Sequence, residues 1–212
     1  MRVSTLRSII DNAIIHENQS QLLHRHLQSI VTSLPSHLHL QQDNEVAALE
    51  TFSRQYICHV PEFLEALKEA ALLSGIEDHV LPFLKVAEEY FLSPPSLPNE
   101  HIGLMALMDE SYLAHRLFEE VNDRYIGAVG VPLIPWDMTL ANVVAHQLVG
   151  EALANQLDER VHLTVNKMMN AEHQYDSARF KKYVQQEQGN LTAIWQDWPC
   201  LSKASGIQWA SS

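Results

Sequence analysis

Leu49, Phe52, Tyr56, Val60, Phe63 and Leu67 follow one another at intervals of three or four residues, and the same spacing recurs along most of the chain. Side chains at that period share one stripe of an α-helix and cannot line one face of a strand. The chain is thereby limited to helix packed on helix. Its seven glycines agree, since Asn-Gly and Asp-Gly, the dipeptides of tight hairpins, are absent. The expectation is an all-α fold, a single-domain multi-helix bundle of about seven helices.

The pattern places these helices near residues 4–16, 20–34, 44–74, 78–92, 99–125, 137–170 and 176–188. Pro61 falls inside the third. A proline removes one intrahelical hydrogen bond and clashes with the preceding turn, so a kink or two abutting helices is expected there. Ser93 to Asn99, with Pro94, Pro95 and Pro98, is the clearest linker, and Asn99 is the expected cap of the helix that follows. No composition shift or internal repeat divides the chain, so residues 1–189 read as one bundle domain. Residues 190–212 hold Trp195, Trp198 and Trp209 and read as a Trp-rich C-terminal tail packed on the bundle. A tail that docks a protein partner, or makes a homodimer, is the other reading.

Charge narrows the function. Fourteen basic residues against 26 acidic ones leave a net charge of −12, which repels phosphate backbones and anionic lipid. No nucleic-acid partner and no membrane partner are expected. From Tyr125 to Gly150 only Asp137 is charged, but Pro132, Pro135, Asn142, His146 and Gln147 fit a buried element better than a membrane span. Cys58 and Cys200 are isolated, so neither a zinc ribbon nor a disulfide scaffold is implied. With no apolar block of signal-peptide length before Gln19, a soluble cytoplasmic protein is expected.

The helices on either side of the Tyr125–Trp136 loop hold the polar residues of interest. On a helical wheel Asp109, Arg116, Glu120 and Asp123 share one face of the first, which reads as a solvated, salt-bridged side. Glu110 lies within the opposite, apolar arc, and His115 lies near its other edge. The second helix carries a single formal charge, Glu151, between Met138 and Leu157 and is apolar in every direction, which predicts burial on all sides. Joined as a central buried antiparallel hairpin, the two helices bring Glu110 level with Glu151 and His115 level with His146.

Two carboxylates and two histidines on buried helices are the ingredients of a non-haem Fe or Mn site. The metal reading assigns Glu110 and Glu151 as oxygen ligands and His115 and His146 as nitrogen ligands, in the service of oxidative chemistry. The spacing of five within each helix turns the two residues of a pair roughly 140° apart, and no Glu-x-x-His occurs. The same four residues, with Asn142, Gln147 and Asn155, could equally form a buried hydrogen-bond network that needs no metal. Further ligands would have to be drawn from Glu50, His59, His79 and Glu88, which no motif supports. A polar pocket between the central helices is the common element. It would serve a metal enzyme or a metal-free small-molecule binder, and the rival is a non-enzymatic interaction or sensory domain. Phosphate-cradling glycine loops, Gly-x-Ser-x-Gly and His-Glu-x-x-His are all absent.

Overall fold

The computed structural model describes residues 2–36, 38–40, 44–95, 101–134, 137–170, 173–187 and 207–209. Among these, eight α-helices account for nearly all regular structure. The chain begins with α1 (Val3–Ser20) and α2 (Leu22–Ile30), separated only by Gln21 in the left-handed region, φ +50°. Glu17 makes that corner possible. Its carboxylate is buried and accepts from the backbone N–H groups of Leu23, at 3.1 Å, and His24, at 3.2 Å. These are donors that the first turn of α2 would otherwise leave unmet.

After a 3-10 turn and the short strand β1 (Leu38–Leu40) comes α3 (Glu45–Ser74). Asn44 caps it by accepting from Ala47 N–H at 3.1 Å, and Gly75 closes it at φ +67°. Pro61 does not divide it. An interior proline costs about 3 kcal/mol, and the fully buried stripe of Tyr56, Val60, Phe63 and Leu64 around it offsets that cost. The next helix, α4 (Glu77–Leu92), likewise contains Pro82. Asn99 lies outside the described residues, and α5 (Leu104–Val129) starts instead behind Gly103, at φ +60°. A Cβ at Gly103 would come within 3.1 Å of the His16 ring, so both backbone and space favour glycine there.

The axis of the bundle is α5. Helices α1, α2, α3 and α4 pack on it, as do α6 (Thr139–Val149) and α7 (Glu151–Met168). From Leu107 to Phe118 every residue of α5 except Arg116 is buried. The helix expected to be apolar all round is thus not the central one.

That second helix is in fact two. Gly150, at φ +93° and ψ +135°, breaks it and reverses the chain. Asn142 reaches Glu119 and His146 lies beside Tyr112, so α6 runs antiparallel to α5. Beyond the reversal, Arg116 meets Asp158, Glu120 meets His162 and Arg124 meets Asn166, each pair 42 positions apart. A constant difference means that α7 runs parallel to α5. It buries only the narrow stripe Ala154, Leu157, Val161 and Val165, and it covers the α5 face that the helical wheel assigned to solvent. Asp109 of that face is also buried, against His101 at 2.8 Å.

The last helix, α8 (Ala178–Glu187), sits on α4 and α5 through the buried Phe180 ring, which lies against His79 and Tyr125, with the buried Tyr183 ring beside it. Tyr183 also donates to the Leu133 carbonyl at 3.1 Å. Trp195 and Trp198 of the tail lie outside the described residues. Its strand β2 (Ile207–Trp209) returns to pair antiparallel with β1, Ile207 opposite Leu40 and Trp209 opposite Leu38. Among the described residues no helix is long and apolar enough to cross a membrane.

Candidate functional site

Where α6 turns into α7 against α5, a cleft of about 330 Å³ remains open. Its wall on α5 is Tyr112, Arg116 and Glu119, residues three or four apart on one helical face. Asn142 and His146 face them from α6 at the same spacing, and Asp158 closes the side formed by α7. The Gly150 reversal creates the space. A single continuous helix would carry Asp158 away along the axis; the turn folds it back beside Arg116.

One guanidinium organises the floor. Arg116 Nε donates to Asp158 at 2.8 Å and its Nη1 donates to Glu119 at 2.5 Å. Burial works against the Arg116 charge, but the two carboxylates outweigh it and hold the proton more firmly than usual. The Tyr112 hydroxyl donates to the same Asp158 carboxylate at 3.1 Å, and burial raises its pKa, so it stays a phenol. Asn142 bridges inward, its amide donating to Glu119 at 2.5 Å and its oxygen accepting from the buried Tyr56 hydroxyl at 2.7 Å. A chain of polar contacts therefore leads from the cleft to the core.

The core end is aromatic and histidine-rich. The Tyr56 ring lies against His115, centroids 4.1 Å apart, and His115 stacks on His59 at 5.5 Å. The imidazoles are linked, His59 Nδ1 to His115 Nε2, at 3.2 Å. Burial lowers the pKa of His59 to about 4. It takes His115 well below its ordinary value, with His59 adding to the effect. Both rings are neutral at pH 7.

The four sequence-nominated ligands are scattered over this architecture. His115 is wholly buried and engaged with His59 and with the Ser111 carbonyl. Glu110, one position away, is buried too. Burial, reinforced by the neighbouring Asp109 charge, pushes its carboxyl up to about 8. His146 is only half-buried; it lines the cleft and lies 3.4 Å from Asn155 across the Gly150 turn. Glu151 is exposed in the first turn of α7. The expected burial of His146 and Glu151 is therefore corrected, because a helix that ends at Val149 buries one flank against α5 and leaves the other open. Among the described residues, no three His, Cys, Asp or Glu side chains gather closely enough to hold a metal ion.

Of the residues that do converge, Arg116 belongs to the face that the wheel reads as solvated, while Glu119 and, on a later helix, Asp158 are not among the sequence candidates. A lone glycine inside a helical pattern was the available signal, since Gly150 marks a break that the apolar spacing runs straight through. No family model, no curated protein and no solved structure matches this chain.

Proposed function

We propose that the protein binds a small polar molecule bearing an amine in the cleft between α5, α6 and α7, without a metal. The observation that carries this reading is the charge of the lining. Two carboxylates, Glu119 and Asp158, share one guanidinium, and Tyr112, Thr139, Asn142 and Gln147 add neutral hydrogen-bonding groups. A cationic ligand supplies the missing positive charge, and hydroxyl or amide groups on it satisfy the rest. The volume is that of a small-ligand pocket, and its polar groups are already oriented by one another, which lowers the cost of ordering them on binding.

The non-haem Fe or Mn reading on Glu110, His115, His146 and Glu151 has less support, since Glu151 faces outward and His115 is closed off by its partners. The interaction-domain reading depends on the tail, of which only Ile207–Trp209 is described.

Thermal unfolding against a panel of small amines, carboxylates and sugars tests the proposal. A cognate amine at a hundred times its Kd should stabilise by about 2.7 kcal/mol, or about 5–10 °C in Tm for a domain of this size. Glu119→Gln and Asp158→Asn should each reduce that shift. A panel in which no amine moves Tm, or in which carboxylates do so equally well, would refute the assignment. Stoichiometric Fe or Mn in protein expressed without a histidine tag and with metal supplementation would return the metal reading in its place.

A further inference from the structure

A second polar cluster lies where α8 meets the bundle. His79 comes from the start of α4, Tyr125 from the end of α5, and His173 and Ser177 from the turn that leads into α8. Hydrogen bonds join them in series. The Phe180 N–H donates to Ser177 Oγ at 3.1 Å, which makes Ser177 the cap of α8. Ser177 Oγ lies 2.8 Å from His79 Nε2, and His79 Nδ1 lies 2.6 Å from the Tyr125 hydroxyl. That hydroxyl lies 3.0 Å from His173 Nε2.

The hydrogens run one way along this chain. Ser177 Oγ accepts from Phe180 and gives its own hydrogen to His79 Nε2. A neutral His79 then donates from Nδ1 to Tyr125, which donates on to His173 Nε2. Every hydrogen has an acceptor. One added proton is absorbed, because a protonated His173 reverses the chain through Tyr125 and His79, and the half-buried Ser177 turns its hydrogen to solvent. A second proton has no such answer. Each charged ring then points an N–H at the Tyr125 oxygen, and the hydroxyl hydrogen loses its acceptor in the chain. Two cations with ring centroids 6.3 Å apart would flank a fully buried phenol.

Otherwise α8 is held lightly. Among the described residues no helix packs its backbone closely along it. Its ion pairs, Arg179 with Asp78 and Lys181 with Asp176, are exposed and hold weakly. Phe180 rests on His79 and Tyr125, two members of the chain itself. Burial lowers the pKa of both histidines; on His79 the neighbouring His173 adds to the effect and Asp78 opposes it. Tyr175 packs its ring against His173 and Tyr125.

We propose that the Ser177–His79–Tyr125–His173 chain is an acid-sensitive latch for α8, closed while the rings are neutral and released once both carry a proton. The half-buried His173 turns to water and takes with it the turn that carries the Ser177 cap. Both rings titrate below 6.5 in the folded chain, so the hold on α8 is complete above 6.5 and is lost as pH falls through the folded values. The latch shares no residue with the cleft proposed above and does not depend on it.

Hydrogen exchange read by mass spectrometry on the full chain at pH 7 and pH 5, corrected for intrinsic rates, provides the test. Amides 180–187 should lose protection at least about tenfold at pH 5 while those of α3 and α5 hold theirs. His173→Gln gives Tyr125 a neutral acceptor that takes no proton, so α8 should stay protected at pH 5. Ser177→Ala cuts the chain from the helix and should leave α8 loose at both pH values; it carries the comparison should His173→Gln fail to fold. Equal protection of α8 at the two pH values, or loosening only in step with α3 and α5, would overturn the latch. So would a His173→Gln or Ser177→Ala protein whose α8 responds to pH as steeply as the wild type.

Discussion

His59 donates its Nδ1 hydrogen to His115 Nε2 across 3.2 Å in the middle of the bundle. The direction follows from His115, whose Nδ1 lies 2.8 Å from the Ser111 carbonyl. A carbonyl only accepts, so Nδ1 carries the hydrogen of neutral His115 and Nε2 is left as the acceptor. A proton added to Nε2 would meet the N–H of His59 head-on. The pair is thus set up for two uncharged rings, His59 as donor and His115 as acceptor, in a site where burial disfavours charge on either.

Acid should open it. Both rings titrate below 6.5 in the folded chain, His59 at about 4, and near 6.5 once unfolded. Their contribution is complete above 6.5 and is lost as pH falls toward 4, because the unfolded chain takes up protons that the native one refuses. For His59 alone the loss amounts to about 3 kcal/mol. Urea unfolding at pH 7, 6 and 5 should show a falling free energy; an unchanged value would show that the rings accept protons without cost in the native state.

Above neutrality the slope reverses. Glu110 is raised to about 8 by burial, so its contribution is whole below its ordinary 4.5 and is lost as pH climbs through 8. His101, raised by its bond to Asp109, acts in the same direction. Stability should therefore peak near pH 6.5 and decline toward pH 8, by about 2 kcal/mol through Glu110. Glu110→Gln should remove most of that decline. A parallel decline in wild type and variant would place its origin elsewhere.

Arg116 is the keystone of the cleft floor. Arg116→Ala leaves Glu119 and Asp158 partly buried, close together and uncompensated, at a cost of about 2 kcal/mol. Arg116→Lys should recover little, because one ammonium cannot reproduce a donor pair directed at two carboxylates. Combining Arg116→Ala with Asp158→Asn should destabilise by less than the two single changes added together. Strict additivity in denaturant melts would mean that the ion pairs are solvated and contribute nothing.

Two glycines predict opposite signs. Gly150→Ala meets no neighbouring atom, yet it forces a side chain into φ +93° and should cost about 1–3 kcal/mol. Gly127→Ala is equally unobstructed but lies within α5 in ordinary helical backbone, and it should stabilise by about 0.5–1 kcal/mol. Thermal melts of the two variants should move in opposite directions. A neutral Gly150→Ala would mean that the reversal tolerates an ordinary residue.

The all-helical fold was legible because core burial imposes its period on the sequence: Leu49, Phe52, Tyr56, Val60 and Phe63 are all buried at their predicted stripe positions. The stripe is blind to chain direction. Val144, Ala145 and Leu148 of α6 and Leu157 and Val161 of α7 continue one apolar pattern, yet they belong to antiparallel helices. Everything downstream of that misreading shifted. Glu151 moved outward, and the charged side of α5 became the floor of a cleft. Polar residues on a helix face say that the face is not apolar; they do not say whether water or another polar face lies opposite. His115 and Glu110 were legible as buried, because polar groups inside an apolar arc have nowhere else to go. Their partners were not, since His59 comes from a helix that the wheel of α5 cannot see.

The 42-residue offset between α5 and α7 also acts as a key against misassembly. Apolar stripes slide over one another with little preference, and a slip of one turn, about four residues, would keep Ala154, Leu157, Val161 and Val165 covered. The charges forbid it. Slid one way, Glu120 would face Asp158 and Arg116 would face Ala154; slid the other way, Arg116 would face His162 and Asp158 would lose its arginine. The three polar rungs coincide in one alignment alone, so the chain that builds the cleft also proofreads the docking of the helix that closes it.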